Sequence, residues 1–194
     1  MQTFVVGGKT VSIFESGASN APVIYLNTVS GEGQQVFEQM QNIGCPACTL
    51  VSVSNLDWNR DMSPWDSPPI FKQTPPCTGG ADAYLRVLTE EIIPTAEKKI
   101  GGNIPWRGLA GYSLAGLFAV YAMYQTELFS RIGSMSGSLW FPGMKEYVFS
   151  HEPKCWPDCI YFSLGDKENK TRNRPTKYRR NTGILSRQRD SNCV

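Results

Sequence analysis

The chain has 194 residues, enough for one domain with a core and too few for two. With 41% hydrophobic and 19% charged residues and no low-complexity tract, it reads as an ordinary globular protein, which excludes intrinsic disorder. The net charge of +2 conceals an asymmetry: residues 1–166 carry 10 Lys/Arg against 15 Asp/Glu, whereas residues 167–194 carry 9 against 2. The basic tail has neither a nucleic-acid motif nor aromatic interleaving apart from Tyr178, so it is read as a solvated face and no nucleic-acid partner is expected.

Phe4-Val5-Val6, a Gly-Gly turn and Val11-Ser-Ile-Phe14 form a predicted hairpin. Ala21-Pro-Val-Ile-Tyr-Leu26 is a nearly continuous apolar run, the pattern of a parallel strand buried on both faces. A helix is predicted over Gly33 to Asn42, with Val36, Phe37, Met40 and Ile43 at helical spacing, and a second buried strand over Thr49 to Val53. Ser54 to Gly80 is irregular, with five prolines and two tryptophans; its aromatic content points to function rather than to a disordered linker. Asp82 to Ile100 places Tyr84, Leu85, Leu88, Ile92 and Ile93 on one helical face, with a bend expected at Pro94.

Ile104 to Ala110 leads into Gly111-Tyr-Ser-Leu-Ala-Gly116, and Leu117 to Tyr124 is apolar on nearly every face, as a buried helix would be. Strands are predicted at Arg131 to Met135 and Cys159 to Leu164. Alternating strands and helices predict an α/β fold with a doubly wound, mostly parallel sheet.

Cys45-Pro-Ala-Cys48 and Cys155-Trp-Pro-Asp-Cys159 invite a zinc reading. The second spacing and the long gap between the pairs argue against it, so ordinary thiols are expected, with no metal and no cofactor. No window reaches the ~18 apolar residues of a membrane span, and the amino terminus lacks a secretory pattern, so a cytoplasmic protein without a membrane partner is expected.

Ligands of an open parallel sheet bind outside the carboxyl ends of its strands. One such end carries Gly111-Tyr112-Ser113, a turn between strand and helix in which a serine can be held strained and exposed, facing the helix dipole. Ala115 stands where the usual G-x-S-x-G pattern has its second glycine. The chain resembles the α/β-hydrolase esterases related to esterase D and the enterochelin (siderophore) esterases. The resemblance rests on Tyr25-Leu-Asn27, the segment from Asn55 to Trp65, Gly79-Gly-Ala-Asp82, Gly111 to Leu117, Ser134-Met-Ser-Gly-Ser-Leu-Trp140 and Ser163-Leu-Gly-Asp-Lys-Glu168, in the family's order.

That resemblance implies a carboxylic-ester hydrolase acting on a small-molecule ester through an acyl-enzyme on Ser113. Its oxyanion hole would use the backbone N–H of Leu114 and that of Thr28, preferred over Asn27, and its acid would be Glu168, with Asp166 as alternative. Trp58, Trp65 and Trp140 are candidates for an apolar substrate wall or for lid packing. The base should be a histidine following the acid, yet the one histidine, His151, precedes it. Impaired activity is therefore expected, in a single domain over residues 1–194 that ends before its last strand and histidine loop. A ligand-binding protein that keeps the pocket without the chemistry is the alternative. An unfinished sheet would also leave residues 159–164 as an edge open to self-association.

Overall fold

The structure, a computed structural model, describes residues 1–69 and 74–165. β1 (Gln2–Val6) and β2 (Lys9–Phe14) form the predicted hairpin. Its turn is Gly7-Gly8, both at positive φ (57° and 73°), as a two-residue hairpin loop requires. β3 (Val23–Asn27), α1 (Gly33–Asn42) and β4 (Thr49–Ser54) follow, then the short helix α2 (Trp58–Asp61) and a small ribbon of β5 (Asp66–Ser67) with β6 (Cys77–Thr78).

α3 (Ala81–Arg86) runs through a π-helical stretch (Val87–Ile92) into α4 (Ile93–Ile100). Proline inside a helix removes one N–H and crowds the carbonyl four residues earlier. Here the expected disturbance at Pro94 takes the form of that wider stretch on its amino-terminal side. β7 (Arg107–Tyr112), α5 (Leu114–Gln125), β8 (Arg131–Met135), α6 (Met144–Ser150) and β9 (Cys159–Ser163) complete the described chain.

Seven strands form one sheet in the order β1-β2-β4-β3-β7-β8-β9. β1, β2 and β4 pair antiparallel in succession, and the pairs from β4 to β9 are all parallel. Apolar side chains fill both faces. On one, α1 covers Phe14, Leu26 and Leu50, with Phe37 stacked on Phe14 at 5.7 Å. Val36 and Ile43, expected on that buried stripe, face outward instead, and Ile43 is 75% exposed. The other face packs under α3, α4, α5 and α6, and every residue of α5 from Leu114 to Tyr124 is buried. Tyr25 on β3 donates to Glu97 on α4 at 3.0 Å, and Glu97 receives two bonds from Arg107 on β7 at 2.6 and 2.7 Å.

The proline-rich segment is built in rather than loose over its described part. Met62 and Ser63 are fully buried, Asp61 pairs with Lys9, and Gly80 N–H donates to Arg60 O at 2.9 Å. β9 borders the described sheet, pairing with β8 alone, and Tyr161 is 58% exposed. Among the described residues no helix is long and apolar enough to cross a membrane.

Candidate active site

Ser113 occupies the single position between the end of β7 and the start of α5, with φ 57° and ψ −120°. A non-glycine residue held there costs about 1–3 kcal/mol, so its surroundings must impose the turn. They do so through β8 and the loop leaving it. Ser113 N–H donates to Met135 O at 3.0 Å, and Ser113 O accepts from Leu117 N–H at 3.1 Å and from Ser138 N–H at 2.9 Å.

Close packing explains the glycines. A Cβ on Gly111 would lie 2.4 Å from the carbonyl carbon of Ala115 and 2.5 Å from its Cβ, so the strand and the helix meet where Gly111 has no side chain. That is why alanine is tolerated at position 115. Gly116 serves a different contact. A Cβ there would lie 2.9 Å from the Cα of Gly137, so the loop after β8 rests directly on the first turn of α5.

The turn leaves the Ser113 side chain half-buried at the carboxyl edge of the sheet. Leu114, Ala115 and Gly116 stand in the first turn of α5, where N–H groups lack intrahelical acceptors and the positive end of the helix dipole lies. Next to it, Asn27 at the end of β3 stands in register with Gly111. Thr28 is correspondingly close, but its N–H already donates to Val53 O at 2.9 Å, and its hydroxyl donates to the same oxygen at 3.0 Å. The parallel ladder with β4 thus runs one residue beyond β3, and the expected oxyanion donor is occupied. The first N–H beyond the ladder belongs to Val29, which is 57% exposed.

Beneath this edge lies a polar network that residue spacing alone did not reveal. Tyr84 OH donates to Asn27 Oδ1, burial and the nearby Asp61 carboxylate push the Tyr84 hydroxyl well above its ordinary pKa, and Asp57 N–H donates to Asp61 Oδ2 at 3.0 Å. The Nδ2 of Asn27 is buried with no hydrogen-bond partner among the described residues. Burial of Tyr84 under α5, 5.2 Å from Phe118, explains why the phenol reaches the end of β3.

The remaining predicted residues separate. Trp58 packs half-buried at the start of α2, and Trp140 is half-buried in the loop after β8. Trp65 is locked among Tyr121, Phe141 and Tyr147, and its indole N–H donates to Pro142 O at 2.7 Å, which joins two loops together. Glu168 and Asp166 lie outside the described residues. His151 follows the last residue of α6, exposed, stacked on Tyr147 at 4.1 Å, with Nδ1 3.0 Å from Tyr147 O. α6 runs back from the carboxyl edge, and Lys154 N–H just beyond it donates to Met123 O near the far end of α5. His151 is thus carried toward the amino edge, away from Ser113.

A mostly parallel sheet with helices on both faces and a tight turn between a central strand and a buried helix define the α/β-hydrolase fold. The chain belongs to the Putative esterase family, which it matches over residues 16–183. Among curated proteins it is similar to the uncharacterized protein YbbA of Bacillus subtilis (strain 168), with 23% identity over 164 residues, 81% of this chain and 66% of that protein. Among solved structures it resembles the BES protein from Bacillus cereus, at 19% identity and a TM-score of 0.68, covering 97% of this chain and 82% of that one. It also resembles an IroE-like serine hydrolase from Shewanella oneidensis, at 22% identity and a TM-score of 0.63, covering 80% of this chain and 55% of that one. The chain therefore spans about two thirds of the curated relative and about half of the Shewanella hydrolase.

Proposed function

We propose that the chain carries the nucleophile half of a serine carboxylic-ester hydrolase for small-molecule esters. The observation that supports this reading above all others is the backbone of Ser113, held at φ 57° at the head of α5. Ser113 Oγ attacks the ester carbonyl, its proton passes to a base, the alcohol leaves and water releases the acyl group. The N–H of Leu114 is one oxyanion donor, and with Thr28 N–H bonded to Val53 O the second is assigned to Val29. Preorganised donors of this kind contribute about 3 kcal/mol each to the transition state. Glu168 is retained as the acid, and Trp58 and Trp140 as the substrate wall; Trp65 is assigned to packing.

Turnover by this chain is expected to be low. Its only histidine, His151, lies toward the amino edge, and loss of a triad member typically costs on the order of a millionfold. Aryl-ester hydrolysis should therefore be near background, unchanged by His151→Ala, and raised by added imidazole, which can act as the base. Ser113→Ala should remove that imidazole-dependent increment and any fluorophosphonate labelling. An increment that survives Ser113→Ala would reject the nucleophile. An ester that binds the wild-type chain and is not cleaved even with imidazole would favour the ligand-binding reading.

A further inference from the structure

We propose that Ser138 is a positioning residue for the nucleophile, its hydroxyl donating to Ser113 Oγ as negative charge builds on that atom. The inference rests on the reading of Ser113 as nucleophile and concerns a residue to which the motif around Ser113 gives no part.

Three observations converge on Ser138. Its Oγ lies 3.4 Å from Ser113 Oγ, and it is the only side-chain hydrogen-bond partner of Ser113 among the described residues. Its own N–H holds Ser113 O at 2.9 Å, so the two residues are tied through backbone as well as side chain. It is 3% exposed, which leaves little room for water to take its place.

The loop that presents it is built for closeness. Gly137 sits against Gly116 and against Ser134, whose Oγ would lie 2.1 Å from an added Cβ, and Ser136 holds φ 44° while its N–H donates to Ser163 O at 2.8 Å. A side chain at 116 or 137 would push the loop off α5 and withdraw Ser138.

At 3.4 Å the contact is longer than the roughly 2.7–2.8 Å of a good O–H···O bond, so it contributes little at rest. A donor facing an anionic oxygen makes a shorter and stronger bond than one facing a neutral hydroxyl. The interaction therefore grows as Ser113 loses its proton, which is the differential stabilisation that accelerates a step without tightening ground-state binding.

The test replaces the oxygen at position 113 by a titratable sulfur. In a Ser113→Cys chain, the pH dependence of alkylation of the introduced thiol by iodoacetamide, followed by peptide mass spectrometry, gives the thiol midpoint. Adding Ser138→Ala should raise that midpoint by about half a pH unit or more, because a donor to the thiolate has been lost. Ser138→Thr in the same background should keep the midpoint low. Equal midpoints for Ser113→Cys with and without Ser138→Ala, both chains folded by circular dichroism, would overturn the proposal. This readout needs no esterase activity. An imidazole-dependent increment in ester hydrolysis that survives Ser113→Ala would reject the nucleophile reading, while the thiol titration would still decide whether Ser138 acts on position 113.

Discussion

Gly111 and Ala115 show how a departure from the expected pattern can be neutral. The usual second glycine is absent, yet the contact between strand and helix survives because Gly111, which faces the backbone of Ala115, is the partner that lacks a Cβ. The pair is not symmetric. A Cβ on Gly111 would meet the carbonyl carbon and oxygen of Ala115 at 2.4 and 2.5 Å as well as its methyl, so the obstruction is largely backbone. Gly111→Ala is expected to destabilise the chain by about 3 kcal/mol, in the range of forced overpacking. Ala115→Gly alone should cost about 1 kcal/mol through helix propensity. The combined variant should recover little, because removing the methyl leaves the carbonyl in place. Urea unfolding of the three variants measures this, and full recovery in the double variant would show that the methyl alone is the obstruction.

At the level of elements, the buried strands and α5 were legible because a continuous apolar run has one economical interpretation in a parallel sheet. The turn carrying Ser113 was legible for the same reason, through the contrast between Gly-Tyr-Ser and the apolar helix behind it. α6 was not foreseen. It buries only Met144 and Val148, and Lys145, Glu146 and exposed Phe149 blur its periodicity. The bond from Thr28 N–H to Val53 O was not legible, because ladder length depends on how far β4 extends alongside β3, which neither strand's residues report. The role of Tyr84 was hidden too, since its spacing marks it as core while its hydroxyl serves the end of β3.

The tyrosines on the packed face also set a limit on conditions. Burial raises the hydroxyls of Tyr25, Tyr84, Tyr121 and Tyr124 above the ordinary tyrosine value, helped at Tyr25 by Glu97 and at Tyr121 by its bond to Asp82. A group whose pKa is higher folded than unfolded contributes stability that is fully present below the unfolded pKa and is lost as pH rises past it. Stability to urea should therefore fall as pH rises above about 10, where unfolded tyrosines ionise and these do not. Tyr25→Phe should flatten part of that decline. An unchanged midpoint at about pH 11 would show that the hydroxyls are solvated.

At the scale of the whole molecule, β9 lies at the margin of the described sheet. It pairs with β8 alone among the described residues, with Ile160 and Phe162 half-buried and Tyr161 largely exposed. Strand edges with apolar side chains template pairing with another chain. Self-association through residues 159–164 is accordingly expected in light scattering at ~100 μM, and Tyr161→Lys should reduce it. A monodisperse monomer for the parent chain at that concentration would count against it.

The strand order also dictates when the turn at Ser113 can exist. β1 to β4 are made early and can pair among themselves, but β3 must wait for β7, more than eighty residues further along, before its second edge is satisfied. Long-range parallel pairing of this kind is slow. Even then the turn is unfinished, because Ser113 depends on Met135 O and Ser138 N–H from the strand and loop that follow. During vectorial synthesis, a ribosome-bound chain that has exposed β7 and α5 without β8 would hold the serine but not its geometry. The backbone geometry at Ser113 is thus a late product of folding.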